Sequence, residues 1–517
     1  MSQTNIMTEN RNVETILKNG DKALSGMPYL YRSKGLPSEV YDVRMREDIN
    51  GELLELAIAD TVIRYPYFSV KFIEKDGDFY AVRNEMKLEA HHKDGFIPLG
   101  GHSNNYHLMG VTYWEKSLKL SFHHGLTDGR GAKTFLETLL RFYSDYKNAD
   151  MGEYEKIREE HHLLASELSV AELADPCEKK YELNGKSMKI EGLSDKGYKL
   201  PETKNKDDHR RYEISFSQKQ FMDACKSIGA SPITYLSILM SRGIKESSLD
   251  CDKTIVSNFP MDARHILGCD DTFKNCVKSM TLPYGREEEN LSDSELAAKY
   301  KRLLNAQKEH DHCAKEFNNI NMLLSVIGHF HSFAGRQKFL GFMENLALDT
   351  YLISYIGQFD MPGELVDEVH LYSNCSSGLV LNMTCQSGKF IIDLTQDFST
   401  DKYVNALRKQ FEKAGIDLVV SDEIIFETPF DELSEIITSP ADTGEQVKDW
   451  LDKFVAAAKA SSQAAKERAE AARNMSPQIT ALYYDAASGT MKSFDPTKNT
   501  QEEMQKLVEN APSLFIS

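Results

Sequence analysis

The chain has 517 residues, of which 41% are hydrophobic and 27% charged, and its formal net charge is −18. Such a composition supports a sizeable buried core, and the length suits two or three domains of about 100–200 residues or one large pseudo-repeated fold. The acidic balance, with no Lys/Arg block, argues against a nucleic-acid partner, and no apolar run approaches the ~20 residues of a membrane span.

The first residues, MSQTNIMTENRNVETILKNG, show no basic stretch followed by an apolar one, so no signal peptide is expected. Residues 1–180 read as a first lobe. Asp48 to Arg64 carries Leu53, Leu54, Ala57, Ile58 and Val62 at helical spacing. Tyr67 to Phe72 and Phe79 to Arg83 are β-like around the turn at 75–78. His107 to Tyr113 and Ser117 to His123 form an expected hairpin. A helix from about Gly131 to Tyr146 follows, with Ala132, Phe135, Leu136, Leu139, Leu140 and Tyr143 as its apolar stripe.

Residues 178–210 are polar and Lys-rich, the pattern of a linker or crossover. A second lobe, 181–440, alternates expected strands (211–216, 254–258, 277–282, 352–356, 379–384, 390–395) with helices, among them one long helix from Ser292 to Glu316 and another from Lys402 to Ala414. Strands and helices mixed in both halves predict an α/β fold of two similar lobes. The tail, 441–517, is Ala/Lys-rich and helix-forming over 447–473, with a small hairpin (Ile479 to Tyr484, Met491 to Phe494) and a last helix near 501–509. The eight cysteines are scattered without a CxxC pair, as free thiols in a reducing compartment would be, and the expected location is cytoplasmic.

The segment that carries chemistry is His123–His124–Gly125–Leu126–Thr127–Asp128–Gly129. In the strand before it, Leu118, Leu120 and Phe122 share one face. The same period puts His124 on that apolar face and His123 on the other. An imidazole held at a rigid strand end, partly desolvated, suits a general base that removes a proton from a hydroxyl or amine attacking a thioester. A thioester is already activated, so no enzyme nucleophile is needed.

This segment resembles the HHxxxDG signature of the chloramphenicol acetyltransferase-like superfamily, which includes alcohol acetyltransferases and the condensation domains of nonribosomal peptide synthetases. Two further segments add to the resemblance over about residues 25–420. One is Asn258–Phe259–Pro260–Met261–Asp262–Ala263–Arg264 with Phe273–Lys274–Asn275. The other is Ser354–Tyr355–Ile356–Gly357–Gln358, where Tyr355 stands in place of an Asn. The DFGWG motif of the plant enzymes is absent.

The resemblance implies a two-lobed α/β sandwich with a central tunnel. It implies His124 as general base, Asp128 as a structural residue partnered by Arg264, and His123 as structural. Gly129, Ser354 and Gly357 become candidate substrate-binding residues. The co-substrate is an acyl-CoA or acyl-carrier thioester, with no bound cofactor and no metal. The partners are a small-molecule acyl donor and acceptor.

Three functions stay open: an acyl-CoA-dependent O- or N-acyltransferase, a condensation-type enzyme acting in trans on a carrier protein's acyl or aminoacyl group, and a catalytically silent binding protein that keeps the fold. The bland reading of His124 is a hydrogen-bonded core histidine, of Asp128 a helix N-cap, and of Arg264 a solvated strand charge. Leu99–Gly100–Gly101–His102–Ser103 resembles a phosphopantetheine attachment site, yet it lies among strands and reads as a turn. Glu309–His310–Asp311–His312–Cys313 lacks metal-ligand spacing and reads as a polar helix face.

Overall fold

The alternation at Ser117–Phe122 is realised as the strand Ser117–His123 in a computed structural model, which describes residues 12–32, 38–75, 77–165, 168–185, 197–204, 209–248, 253–328, 330, 332–344, 349–373 and 378–437, with short strands at 481–485 and 490–494. This strand is central in a five-stranded sheet. The order is Val366–Ser373, Ser38–Met45, Ser117–His123, Met109–Trp114 and Ala90–His92, antiparallel except for the last pair. Leu118, Leu120 and Phe122 join the stripe of helix Gly129–Asn148 in one core, which also takes in helix Gly51–Arg64.

The second sheet has eight strands, with Tyr351–Gln358 parallel to both of its neighbours, Ile255–Asp262 and Leu379–Gln386. Helices Gln218–Ile228, Pro232–Ser247, Asp293–Gln307 and Lys402–Lys413 share its core. The fold is thus α/β. Between Tyr351–Gln358 and Leu379–Gln386 the chain leaves this sheet, and Val366–Ser373 pairs with Ser38–Met45 of the first. The Thr384 hydroxyl donates to the Val369 carbonyl (2.6 Å), and Asp393 accepts from the Leu371 N–H (3.1 Å).

Two expected elements differ. The β-like stretch at Tyr67 to Phe72 begins as the 3-10 turn Pro66–Ser69, because Pro66 starts a helical turn with its φ preset, and the strand follows at Lys71–Lys75. The single helix expected over Ser292 to Glu316 is two, Asp293–Gln307 and His310–Ile327, with Glu309 extended between them. Gln307 bonds the backbone of Thr281 at both ends (2.9 Å each), and Glu316 accepts from the Ser279 N–H (3.3 Å). Nine residues at about 100° each would place these side chains on opposite faces of one straight helix. The break lets both satisfy the same sheet edge. In the tail, Ala481–Asp485 pairs with Thr490–Phe494. The helices expected at 447–473 and 501–509 lie outside the described residues.

An ionic cluster ties the sheets together. Glu213, His370 and Asp393 bring three possible metal-ligand atoms within 4.8 Å of one another. Arg44 lies 2.5 Å from Glu213, and Arg211 pairs with both Glu213 and Asp393, so these carboxylates already have cationic partners. Burial pulls the His370 pKa down, but the Asp393 and Glu368 carboxylates outweigh it and raise it to about 9. The tie therefore contributes fully below about pH 6.5 and is lost as pH rises through about 9, a contribution of up to about 3 kcal/mol. Thermal melts from pH 6.5 to 9.5 are expected to fall for the wild type and to lose most of that slope in His370→Gln. Parallel slopes would remove His370 from the tie.

Candidate active site

His124 follows the last residue of its strand, and the chain turns at once. The turn is tight: a Cβ at Gly125 would lie 2.5 Å from Leu30 Cδ2 and 2.8 Å from His123 Nδ1. His124 keeps the inward phase read from its strand. Its side chain is 13% exposed, stacks on Tyr29 at 4.7 Å and meets Phe122 edge-on at 6.1 Å. Nδ1 lies 3.3 Å from Asn275 Oδ1, and the Asn275 amide nitrogen donates to the carbonyl of His124 itself. Nε2 lies 3.2 Å from Glu39 Oε1. Burial lowers the His124 pKa, but the Glu39 charge and the hydrogen bonds to Glu39 and Asn275 outweigh it, and the net shift is upward.

His123 faces the other way and is fully buried. Its Nδ1 accepts from the Gly125 N–H at 2.8 Å, so the proton sits on Nε2. Burial, helped by His124 and Arg32, pushes its pKa down to about 3, which keeps it neutral.

Asp128 and Arg264 are brought together in full burial, with Arg264 Nη2 2.8 Å from Asp128 Oδ2 and 2.9 Å from Oδ1. The same carboxylate caps helix Gly129–Asn148 through the Gly131 N–H (3.1 Å) and accepts from the Cys276 N–H (3.0 Å). The capping reading and the pairing reading are therefore both present in the geometry. Burial raises the Asp128 pKa, but Arg264 and these N–H groups lower it further, so it is ionised. Arg264 also donates to the carbonyls of Thr272 and Lys274 (2.8 Å each) and to Asp262 (3.0 Å). It thus stitches the loop that carries Asn275 to the turn that carries His124.

Gly129 starts the helix, and its carbonyl accepts from the Tyr41 hydroxyl at 2.8 Å. A Cβ there would lie 2.9 Å from Ile356 Cδ1 and 3.9 Å from Glu39 Oε2. Strand Tyr351–Gln358 thus meets this corner through Ile356. Ser354 is buried within that strand, and Gly357 sits at its bulge with a φ of 85°. Among the described residues neither hydrogen-bonds to His124.

Three neighbours of His124 carried no role in the sequence reading: Glu39, Tyr29 and Asn275. For Glu39 the sequence offered only an alternation, and the register of the structure gave it meaning. Glu39, Tyr41 and Val43 alternate on one face of Ser38–Met45, and Glu39 pairs in register with Phe122, so a lone carboxylate shares the face of His124.

No protein-family model matches the sequence, and no curated protein sequence matches it. Solved structures do match in fold. F. graminearum TRI101, complexed with coenzyme A and T-2 mycotoxin, superposes with a TM-score of 0.50 at 11% identity over 78% of this chain and 99% of that one. The nonribosomal peptide synthetase FmoA3 does so with 0.51 at 12% identity, over 77% of this chain and 42% of that one. This chain has the chloramphenicol acetyltransferase-like fold. In this instance of it, the HHxxxDG turn lies where helix Gly129–Asn148 of the first sheet's layer meets Ile356 of the second sheet.

The other motif-like segments are engaged elsewhere. Ser103 lies in the 3-10 turn His102–Asn104 and donates to Glu432 Oε2 at 2.6 Å. Incubation with coenzyme A and a promiscuous phosphopantetheinyl transferase is expected to leave the Ser103 peptide unmodified, and a pantetheine-sized mass gain there would refute this. His312 accepts from Lys278 (2.7 Å), and Asp311 accepts from the Asn184 backbone N–H (3.0 Å), so these side chains fasten neighbouring segments. Among the described residues no helix is long and apolar enough to cross a membrane.

Proposed function

We propose that this protein is an acyltransferase that moves an acyl group from an acyl thioester to a hydroxyl or amine, with His124 as the general base. The observation that carries this is the held imidazole. His124 Nδ1 is pinned by Asn275, its ring is wedged on Tyr29, and the side chain keeps partial exposure. A base needs that combination of fixed orientation and access. Asp128 and Arg264 then act as positioning residues. Gly129, Ser354 and Gly357 are the proposed substrate contacts, and the site is the midpoint of a tunnel between the lobes.

The first reading of the donor is acyl-CoA, and the fold likeness to a structure holding coenzyme A supports it. The second is an acyl group on a carrier protein, which the likeness to a nonribosomal peptide synthetase supports. A cytoplasmic location accords with either donor. The test is mass spectrometry of products from a panel of acyl-CoAs and of one loaded carrier protein, with wild type and His124→Ala side by side. Products from the CoA panel that vanish in the variant support the first reading, and products from the loaded carrier alone support the second. Equal products from both proteins would refute the role of His124.

A further inference from the structure

The hydrogen-bond bookkeeping around His124 leaves one proton to place. The Asn275 amide nitrogen is committed to the His124 carbonyl, so its oxygen faces Nδ1 and Nδ1 must carry a hydrogen. Nε2 would then present a lone pair to Glu39 Oε1 at 3.2 Å, which is repulsive unless a proton lies between them. At rest the site is an imidazolium facing a carboxylate, in keeping with the upward shift of the His124 pKa. In that form His124 is no base.

The surroundings show what changes this. Among the described residues Glu39 has no Lys or Arg partner, whereas the other nearby carboxylate, Asp128, is neutralised by Arg264. Arg32 lies 4.6 Å over the Tyr29 ring, on which His124 stacks. The Glu39 side chain keeps 18% exposure, so an acceptor can reach its carboxylate.

We propose that Glu39 selects a primary amine as the acceptor and binds it as an ammonium ion beside His124. This rests on the acyl-transfer reading above. The ammonium takes the place of the imidazolium as the counter-ion of Glu39, and His124 releases its Nε2 proton to solvent and becomes a base. An alcohol brings no charge, so it leaves the imidazolium in place or Glu39 uncompensated.

The step balances. The ammonium passes one proton to His124 Nε2, and the freed amine attacks the thioester carbonyl, forming the C–N bond. The nitrogen of the tetrahedral intermediate loses a second proton to Glu39. The C–S bond breaks, and the imidazolium protonates the leaving sulfur. The proton on Glu39 returns to His124, which restores the resting pair. In sum, an ammonium and a thioester give an amide, a thiol and one proton in solution.

The test offers matched acceptors, 2-phenylethylamine with 2-phenylethanol and hexylamine with hexan-1-ol, to the full chain with acetyl- and octanoyl-CoA and with the same acyl groups on a carrier protein. Amides are expected to form with kcat/KM at least about 10-fold above the matching esters. In Glu39→Gln, kcat/KM for the amines is expected to fall by about 10–100-fold, mostly through KM, the weight of a hydrogen bond to a charged group. Glu39→Asp should recover part of that loss, and the amine-to-alcohol ratio should narrow in Glu39→Gln. Amines that stay unmodified, esters formed as readily as amides, or an unchanged ratio in Glu39→Gln would each overturn the proposal. If alcohols react while amines do not, only the choice of acceptor fails. If His124→Ala turns over like wild type, the general-base role fails, and if neither amines nor alcohols are acylated, the acyl-transfer reading itself fails.

Discussion

His124→Ala is expected to lower acyl transfer by about 10²–10⁴-fold while leaving the fold intact, the usual weight of a positioned general base. The side chain is held at three points, by Asn275, Glu39 and the Tyr29 ring, yet it keeps solvent contact. Truncation therefore empties a partly open site rather than a sealed core position. The Glu39 carboxylate, 18% exposed, can rehydrate when its partner is gone. Thermal melts should thus move little while initial rates collapse. The pH dependence adds a second check. Because the His124 pKa is raised, the acid limb of kcat/KM in the wild type should lie above the ordinary imidazole value of about 6.5. A variant that keeps near wild-type rates would refute the assignment. His123→Ala should reverse the balance, with more loss of stability than of rate, since that ring is sealed in and neutral.

The largest stability effects are expected at Asp128 and Arg264. Removing one member of a buried ion pair leaves an uncompensated charge and costs about 3–5 kcal/mol. Asp128→Asn separates this from simple helix capping, because Asn caps as well as Asp. The four hydrogen-bond contacts of the Asp128 carboxylate come from Arg264 Nη2, the Gly131 N–H and the Cys276 N–H, and all of these groups are donors. An Asn must turn its own NH₂ toward one of them, which places donor against donor with no water to relieve it. Asp128→Asn should therefore lose stability and activity together, the latter because the turn carrying His124 and the loop carrying Asn275 lose their common anchor. Arg264→Ala should behave alike. The double variant should cost less than the sum of the singles, since the second change removes a group already stranded by the first. Melts and initial rates for all three variants decide it. A silent Asp128→Asn, or strict additivity, would mean that another group holds the His124 turn.

Much of this site could be read locally. The alternation of Leu118, Leu120 and Phe122 sets the phase of His124, and the stripe on Gly129–Asn148 places a helix directly after it. Both are short-range patterns: side-chain direction repeats every two residues in a strand and about every 3.6 in a helix, so chemistry carried by one continuous segment shows in its period. The HHxxxDG spacing and the Arg264 segment led to the fold by resemblance, and the superposition on solved structures agrees.

What the chain by itself could not decide is which distant segments meet. Glu39 touches His124 only because Ser38–Met45 pairs with Ser117–His123 in one register, and a slip of one residue would turn the carboxylate to the other face. Val366–Ser373 crosses to the first sheet although it lies between strands of the second, since strand pairing is settled by neighbours in space and local pattern is blind to it. The same holds for the break at Lys308–Glu309, which exists to bring Gln307 and Glu316 to one sheet edge. Period set the phase of His124, and the motif singled it out as the candidate base. Tertiary pairing alone supplied the carboxylate opposite it, because register is a property of two strands and neither one encodes it.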